Sequence, residues 1–217
     1  MLFNNEDIIV FAGDSTTDDG RARPVAQRNG ELGYGYVRLI DSILNTLYPE
    51  NTYRIFNSGN SGNTSRDLLG RWDNDVLALE PDWISIMIGI NDVWRQMDNP
   101  QMKWAHVLPD EYRANLEKMV DRSLPHVKGI IIMPPFFMEP CHDDMMRKLT
   151  DVYYDISKEV AKTRRCIFAD VQAYFDEYLK FRHSSNISWD RVHPGVIGSF
   201  LICRAFLKAI GVDRQLY

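Results

Sequence analysis

The strongest constraint on the fold is an alternation of short apolar runs with longer amphipathic segments. The apolar runs are residues 8–12, 53–56, 83–88, 129–133 and 166–170. Each run ends at polar, glycine or proline residues, which is typical of buried strands. The segments between the runs carry apolar residues at helical spacing. This order predicts an α/β fold, in which a five-stranded parallel sheet lies between two layers of helices as a three-layer α/β/α sandwich.

Helices are predicted where apolar residues recur every three or four positions. These segments include residues 66–79, 109–126, 143–163 and 171–181. An earlier helix ends at Pro49, because proline cannot continue it, and a closing helix runs to Ile210. The stretch that carries Trp94 and Trp104 is less regular, so no helix is predicted there.

The length and charge of the chain narrow its class. The 217 residues suffice for one large α/β domain, and no stretch resembles a linker, so we expect a single domain over residues 1–217. The formal net charge of -5, without a run of Lys or Arg, argues against nucleic acid or an anionic membrane as a partner. The N-terminus lacks the basic and apolar regions of a secretion signal, so we expect a cytoplasmic protein.

Four residues that suit chemistry follow the predicted strands or lie in the last loop. Ser15 follows the first run, Gly62 follows the second and Asn91 follows the third. His193 lies in the loop before the closing helix. Parallel strands share one edge at their C-terminal ends, and ligands of open α/β sheets bind there. We therefore expect these four residues to meet at that edge, although they are far apart in sequence.

Ser15 and His193 have the chemistry of a nucleophile and its base. A serine hydroxyl becomes a useful nucleophile when a nearby base accepts its proton. His193 is the candidate base, because Asp190 lies three residues before it and can orient one ring nitrogen while the other faces Ser15. Simpler interpretations remain for each part alone. Residues 13–15 can be an ordinary helix-capping turn, and Asp190 with His193 can be an ion pair within a loop.

Gly62 and Asn91 are candidate donors to a negatively charged oxygen. Acyl transfer needs hydrogen-bond donors aimed at the oxygen of the tetrahedral intermediate, and a backbone N–H with an asparagine amide is suitable. Alternatively, Gly62 only allows a turn with positive φ, and Asn91 only caps the segment after the third strand. The order of all four features along the chain favours the catalytic interpretation.

The same positions resemble the sequence blocks of the SGNH or GDSL-type esterases. The matching blocks are residues 13–15, 61–64, 89–92 and 190–194, and the resemblance extends from residue 8 to about residue 210. It implies a flavodoxin-like SGNH hydrolase fold, with Ser15 as nucleophile, His193 as general base and then acid, and Asp190 as the orienting carboxylate. It also implies an oxyanion hole made by the backbone N–H groups of Ser15 and Gly62 and by the Asn91 side chain. No metal and no cofactor are expected.

Residues 67–73 and 89–95 are most similar to bacterial carbohydrate acetylesterases, including cytoplasmic acetylxylan esterases. This resemblance implies a small acetylated carbohydrate substrate, in particular acetylated xylo-oligosaccharides, and an acetyl-serine intermediate. A short-chain thioesterase or lysophospholipase of the same family is an alternative. A non-catalytic carbohydrate-binding protein, with Ser15 as a mere turn residue, is another.

Four further side chains are candidate substrate contacts because they lie close to the catalytic residues in sequence. They are Asp18, Asp92, Trp94 and Trp189. The tryptophans can stack on sugar rings, or they can instead fill the core or a subunit interface. The two aspartates can instead hold their own loops. Aromatic residues make up 12% of the chain, which favours a homo-oligomer.

Overall fold

A sheet of five parallel strands lies at the centre of the protein, for which a computed structural model describes residues 1–25 and 32–214. The strands are β1 (Ile8–Gly13), β2 (Arg54–Gly59), β3 (Trp83–Met87), β4 (Gly129–Met133) and β5 (Ile167–Phe168). They pair in the order β2-β1-β3-β4-β5, which is the flavodoxin-like order of a doubly wound sheet. The predicted five-stranded parallel α/β fold is therefore confirmed.

Helices follow or precede every strand. They are α1 (Ser15–Asp18), α2 (Tyr36–Leu47), α3 (Ser65–Gly70), α4 (Trp72–Asp75), α5 (Ile90–Asp98), α6 (Pro109–Ser123), α7 (Met145–Thr163), α8 (Val171–Leu179) and α9 (Val196–Ala209). Short 3-10 turns lie at Leu77–Leu79, Lys103–Ala105 and Ser184–Asn186. None of the helices within residues 1–25 and 32–214 has the length and apolar composition of a membrane span.

The central strand β1 contributes to a hydrophobic core on each face of the sheet. Ile9 and Phe11 pack into the core that α2, α8 and α9 cover. Val10 and Ala12 point the other way, into the core formed with α3 to α7. All four side chains are completely buried, because successive side chains of a strand point to opposite faces and both faces carry helices. The three predicted layers are therefore present.

The helix predicted over residues 66–79 is broken into α3, α4 and a 3-10 turn. The break follows Gly70, where helix propensity is low, and Arg71 leaves the helical region at φ -108° and ψ 8°. Arg71 instead donates to the backbone oxygen of Gly13 at 3.0 Å and to Ser58 Oγ at 3.2 Å. The broken helix thus positions a guanidinium that ties together the ends of β1 and β2.

Helix α5 was not predicted from the sequence, although it follows β3 directly. Ile90, Val93, Trp94 and Met97 recur at the spacing of one helical face, so the signal was present. Gly89 precedes the helix with φ 127°, a value that L side chains rarely adopt. The prediction of an irregular stretch at Trp94 was therefore wrong, and Asn91 lies in the first turn of a helix.

The ends of three strands lie side by side and define one edge of the sheet. Gly13 at the end of β1 pairs with Gly59 at the end of β2 and with Met87 at the end of β3. The chain leaves β1 toward β2 on one side and later returns to β3 on the other. Such a reversal opens a crevice at the C-terminal ends of the strands, and α1 and α5 begin on its two sides.

Candidate active site

Ser15 is the first residue of α1, directly after β1. Asp14 caps this helix by accepting a hydrogen bond from the Thr16 N–H at 3.0 Å. A Cβ on Gly13 would lie 2.4 Å from the carbonyl oxygen of Met87, so only glycine fits where the strand turns into the helix. The capping turn considered from the sequence is present, and it presents the half-buried Ser15 at the edge of the sheet.

His193 links Ser15 to Asp190 by two hydrogen bonds. Ser15 Oγ lies 2.9 Å from His193 Nε2, and His193 Nδ1 lies 2.6 Å from Asp190 Oδ2. Because the ionised carboxylate can only accept, Nδ1 carries a hydrogen, and in the neutral ring Nε2 is left to accept from the Ser15 hydroxyl. The histidine side chain is about one-third exposed (35%), whereas that of Asp190 is 9% exposed. A substrate can therefore approach the serine and histidine but not the carboxylate.

Asp190 is held by its second oxygen. Oδ1 accepts hydrogen bonds from the backbone N–H groups of Val192 at 2.9 Å and His193 at 2.8 Å, and from Ser188 Oγ at 3.0 Å. Burial raises the pKa of Asp190, but the hydrogen bonds from the His193 ring and from these backbone groups outweigh it, so the pKa lies below its usual range. The carboxylate is therefore ionised and fixed in orientation.

The turn between Asp190 and His193 depends on an unusual backbone conformation at Arg191. Its φ of 66° lies in the left-handed region, which is strained for a residue other than glycine. The Arg191 guanidinium pairs with Glu139 at 2.6 Å and lies 4.9 Å from the centre of the Phe137 ring. These contacts hold the conformation that brings carboxylate and imidazole together.

Ser15 and His193 face a cleft of about 390 Å³. The residues that line this cleft are Ser15, Asp19, Gly20, Ser61, Gly62, Asn91, Trp94, Arg95 and His193. Gly62 has φ 82°, and Asn91 donates one amide hydrogen to the Asn63 carbonyl at 3.0 Å. An amide NH₂ has two hydrogens, so the second is left for a ligand. The four residues predicted to meet at the sheet edge all line one cleft.

Asp18 is not among the residues that line the cleft. It is 3% exposed and accepts hydrogen bonds from the N–H of Ser61 at 3.0 Å and from its hydroxyl at 2.9 Å. Arg23 pairs with the same carboxylate at 2.6 Å. Burial raises the pKa of Asp18, but the hydrogen bonds from Arg23 and Ser61 outweigh burial, so the pKa lies below its usual value. The structure contradicts the predicted substrate contact: Asp18 holds the loop that carries Gly62.

Asp92 is also unavailable to a substrate, because it is completely buried. Its carboxylate accepts from the Ser65 N–H at 2.9 Å and from the Ser65 hydroxyl at 2.5 Å. Asn115 donates to the same hydroxyl at 3.1 Å. The predicted substrate contact is corrected here as well: Asp92 joins the start of α5, next to Asn91, to the start of α3, three residues after Gly62.

Replacing Asp92 by asparagine is expected to change how stability depends on pH. Burial raises the pKa of Asp92 to about 7 against the hydrogen bonds from Ser65, and the nearby Asp14 also raises it. An unfolded aspartate has a pKa of about 3.9. The folded state therefore binds the proton of Asp92 more tightly than the unfolded state does. This preference stabilises the folded protein at low pH, and the stabilisation is lost as the pH rises through about 7. Asp92→Asn should gain roughly 1–3 kcal/mol in free energy of unfolding relative to wild type between about pH 5 and about pH 8.

Urea unfolding at the two pH values measures this gain. Asp73→Asn is the matched control, because Asp73 is 58% exposed and pairs with Arg122 at the surface. We expect its difference from wild type to be the same at both pH values. A difference between Asp92→Asn and wild type that does not change with pH would contradict the inferred titration.

Two tryptophans lie beside His193. The ring of Trp94 is 5.8 Å from the His193 ring, and Trp94 lines the cleft. The ring of Trp189 is nearly parallel to the imidazole at 6.3 Å and is 86% exposed. Trp72 is instead completely buried in the core, and Trp104 is 75% exposed outside the residues that line the cleft.

Some residues of the cleft were not predicted from the sequence. Asp19 and Gly20 follow α1, and Arg95 lies on α5 one turn after Asn91. The Arg95 guanidinium lies 5.6 Å from the centre of the Trp94 ring. Since Asn91 and Arg95 are four residues apart, recognition of the helical spacing in α5 would have placed them on one face.

The model of the GDSL-like lipase/acylhydrolase family matches residues 11–199. The chain is 48% identical to an acetylxylan esterase of Geobacillus stearothermophilus over 214 residues, which cover 98% of each chain.

Three solved structures superpose on nearly the whole of this chain. The crystal structure of Axe2, an acetylxylan esterase from Geobacillus stearothermophilus, superposes with a TM-score of 0.96 at 48% identity and covers 98% of both chains. A catalytic Ser15→Ala mutant of Axe2 superposes with a TM-score of 0.97 at 47% identity and covers 99% of this chain and 100% of its own. LAE5, an alpha/beta hydrolase from the metagenome of Lake Arreo, Spain, superposes with a TM-score of 0.97 at 45% identity, with the same coverage.

Proposed function

This chain belongs to the GDSL-like lipase/acylhydrolase family, and we propose that it is a serine esterase that removes acetyl groups from xylo-oligosaccharides. The observation that carries the proposal is the hydrogen-bonded chain from Ser15 through His193 to Asp190, which faces a cleft lined by Gly62 and Asn91. Full-length similarity to acetylxylan esterases supports the choice of substrate.

In the first step, Ser15 Oγ attacks the carbonyl carbon of the acetyl ester and His193 Nε2 takes its proton. The negative charge that forms on the carbonyl oxygen is stabilised by the backbone N–H groups of Ser15 and Gly62 and by the Asn91 amide. His193 then gives the proton to the ester oxygen of the sugar. The C–O bond breaks, the sugar leaves as an alcohol, and the acetyl group remains on Ser15.

In the second step, His193 takes a proton from water, which attacks the acetyl-serine. The tetrahedral intermediate collapses to acetate, and the proton returns to Ser15 Oγ. Asp190 stays ionised throughout, because its hydrogen bonds keep its pKa low. It stabilises the imidazolium that forms in both steps.

We further propose that Trp94 and Trp189 contact the sugar. Both rings lie beside the imidazole of His193. Since His193 gives a proton to the leaving sugar alcohol, the sugar must lie near both tryptophans. The apolar face of a sugar ring suits an aromatic surface, and the aromatic ring loses little conformational entropy when it binds.

The chain length of the acyl group tests the proposed function. Among the residues that line the cleft, Trp94 is the one large apolar side chain, so a long acyl chain would find little apolar surface to bind. We expect kcat/KM for 4-nitrophenyl acetate to exceed that for the octanoate by roughly 10-fold or more. A preference for the octanoate would contradict an acetylesterase and favour the thioesterase or lysophospholipase alternative.

We propose a single domain over residues 1–217 and no nucleic-acid or membrane partner, which the length and charge of the chain support. We propose a cytoplasmic location, which the three unpaired cysteines Cys141, Cys166 and Cys203 support. We also propose a homo-oligomer. Trp104 and Phe181 are each at least three-quarters exposed, and exposed aromatic surface of this kind favours association.

A further inference from the structure

Asp19 lies in the cleft but has no part in the reaction described above. It follows α1, and its backbone N–H donates to the Ser15 carbonyl at 3.0 Å, so it is fixed relative to the nucleophile. Its side chain is half-buried and lines the cleft together with Ser15 and His193. Asp19 therefore forms part of the cleft wall beside the nucleophile.

Within residues 1–25 and 32–214, no N–H or hydroxyl group donates a hydrogen bond to the Asp19 carboxylate. The neighbouring Asp18, in contrast, accepts several. Burial raises the pKa of Asp19, and the charge of Asp18 raises it further, whereas His193 lowers it. A half-buried carboxylate that accepts no such bond is ready to accept one from a ligand.

The loop around Asp19 is built closely against it. Asp19 has φ 33°, in the left-handed region that favours glycine. A Cβ on Gly35 would lie 2.6 Å from Asp19 Oδ2, and a Cβ on Gly33 would lie 2.6 Å from the Asp19 carbonyl oxygen. Gly33 and Gly35, which have no side chains, thus leave room for Asp19. Asp19 adopts a backbone conformation that would be less strained for glycine. Strain of this kind is common at functional sites.

The reaction places the alcohol part of the substrate near this carboxylate. The ester oxygen must lie by His193 Nε2, which gives it a proton, and both Asp19 and His193 line the same cleft. In a partly acetylated xylose ring, a free hydroxyl group lies on the carbon next to the acetylated one. Such a hydroxyl donates a hydrogen bond, and a carboxylate accepts it.

We propose that the Asp19 carboxylate accepts a hydrogen bond from the hydroxyl next to the acetyl ester, and so selects acetyl esters of vicinal diols. This inference rests on the proposed function and adds a specificity-determining residue to it. Simple aryl or alkyl acetates, which have no such hydroxyl, gain nothing from Asp19.

The test compares two substrates on two variants. Asp19→Gly removes the carboxylate and suits the left-handed backbone, so it should fold; Asp19→Asn keeps the size and removes the charge. With partly acetylated xylobiose, kcat/KM of Asp19→Gly is expected to fall about 10- to 100-fold, as for the loss of a hydrogen bond to a charged group. With 4-nitrophenyl acetate the change should stay below about 3-fold. Asp19→Asn should give a smaller loss with the same substrate dependence.

Asp110→Asn is the control, because this exposed aspartate in the first turn of α6 lies outside the cleft. An equal loss on both substrates, with a shifted acid limb of the pH profile, would overturn the proposal, because Asp19 would then act only on His193. No loss on the sugar ester would overturn it as well.

Failure of the proposed function would look different. A wild-type protein active on 4-nitrophenyl acetate but inactive on acetylated xylobiose would refute the sugar substrate. Glycerol monoacetate, which carries a hydroxyl group beside its ester, then tests Asp19 separately. A selective loss on glycerol monoacetate in Asp19→Gly supports the role in diol recognition, and an equal loss on both esters refutes it.

Discussion

Ser15→Ala is expected to lower kcat for 4-nitrophenyl acetate by at least about 10⁴-fold, because the covalent step has no other nucleophile. Ser15 Oγ makes its side-chain hydrogen bond to His193 and packs little. The cap of α1 comes from Asp14, which the substitution leaves in place. The unfolding midpoint should therefore stay within about 4 °C, the shift that roughly 1 kcal/mol produces in a protein of this size.

A matched control for this variant is Ser42→Ala. Ser42 is an exposed serine on α2 whose hydroxyl donates to the Arg38 carbonyl within the same helix. It lies outside the residues that line the cleft, so its activity should equal that of wild type. Retention of more than about a tenth of wild-type kcat by Ser15→Ala would contradict the role of nucleophile.

Asp190→Asn is expected to lower kcat by about 10²- to 10⁴-fold without unfolding the turn. The amide oxygen can replace Oδ1, which accepts from the backbone N–H groups of Val192 and His193. The amide nitrogen then replaces Oδ2 and faces His193 Nδ1. Because an amide nitrogen donates, Nδ1 loses its hydrogen, and Nε2 becomes protonated and cannot accept from Ser15.

Steady-state kinetics with 4-nitrophenyl acetate, together with thermal unfolding, measure this effect. Asp143→Asn serves as the control, because the Asp143 side chain is 91% exposed and its loss should leave kcat unchanged. A loss smaller than about 3-fold in Asp190→Asn would contradict the orienting role of this carboxylate.

The sheet and the meeting of Ser15, Gly62, Asn91 and His193 could be predicted from the sequence. Buried parallel strands are nearly continuous apolar runs, so four of the five strands were located to within a few residues, and the fifth is shorter than predicted. The C-terminal ends of such strands share one edge, so residues directly after them converge whatever their separation in sequence.

The direction of individual side chains could not be predicted in this way. Asp18 and Asp92 each lie next to residues of the cleft in sequence, but their carboxylates turn inward to Ser61 and Ser65. Neighbours on a short helix point in different directions, and which of them faces a ligand depends on contacts between loops that are distant in sequence. Asp19, one residue after Asp18, lines the cleft for the same reason.

The break between α3 and α4 has a comparable origin. The apolar spacing over residues 66–79 is helical, and Leu68, Trp72 and Val76 are all completely buried, as that spacing predicts. The helix is nevertheless interrupted at Arg71, whose guanidinium donates to groups at the ends of β1 and β2. Tertiary hydrogen bonds of this kind override local helix propensity.

The most direct test of the proposed function is acetate release from acetylated xylo-oligosaccharides by the wild-type protein and by Ser15→Ala. We expect steady release of acetate by wild type and none above the uncatalysed background by Ser15→Ala. Release of acetate by Ser15→Ala at the wild-type rate would contradict the claim that Ser15, with His193 and Asp190, performs the reaction.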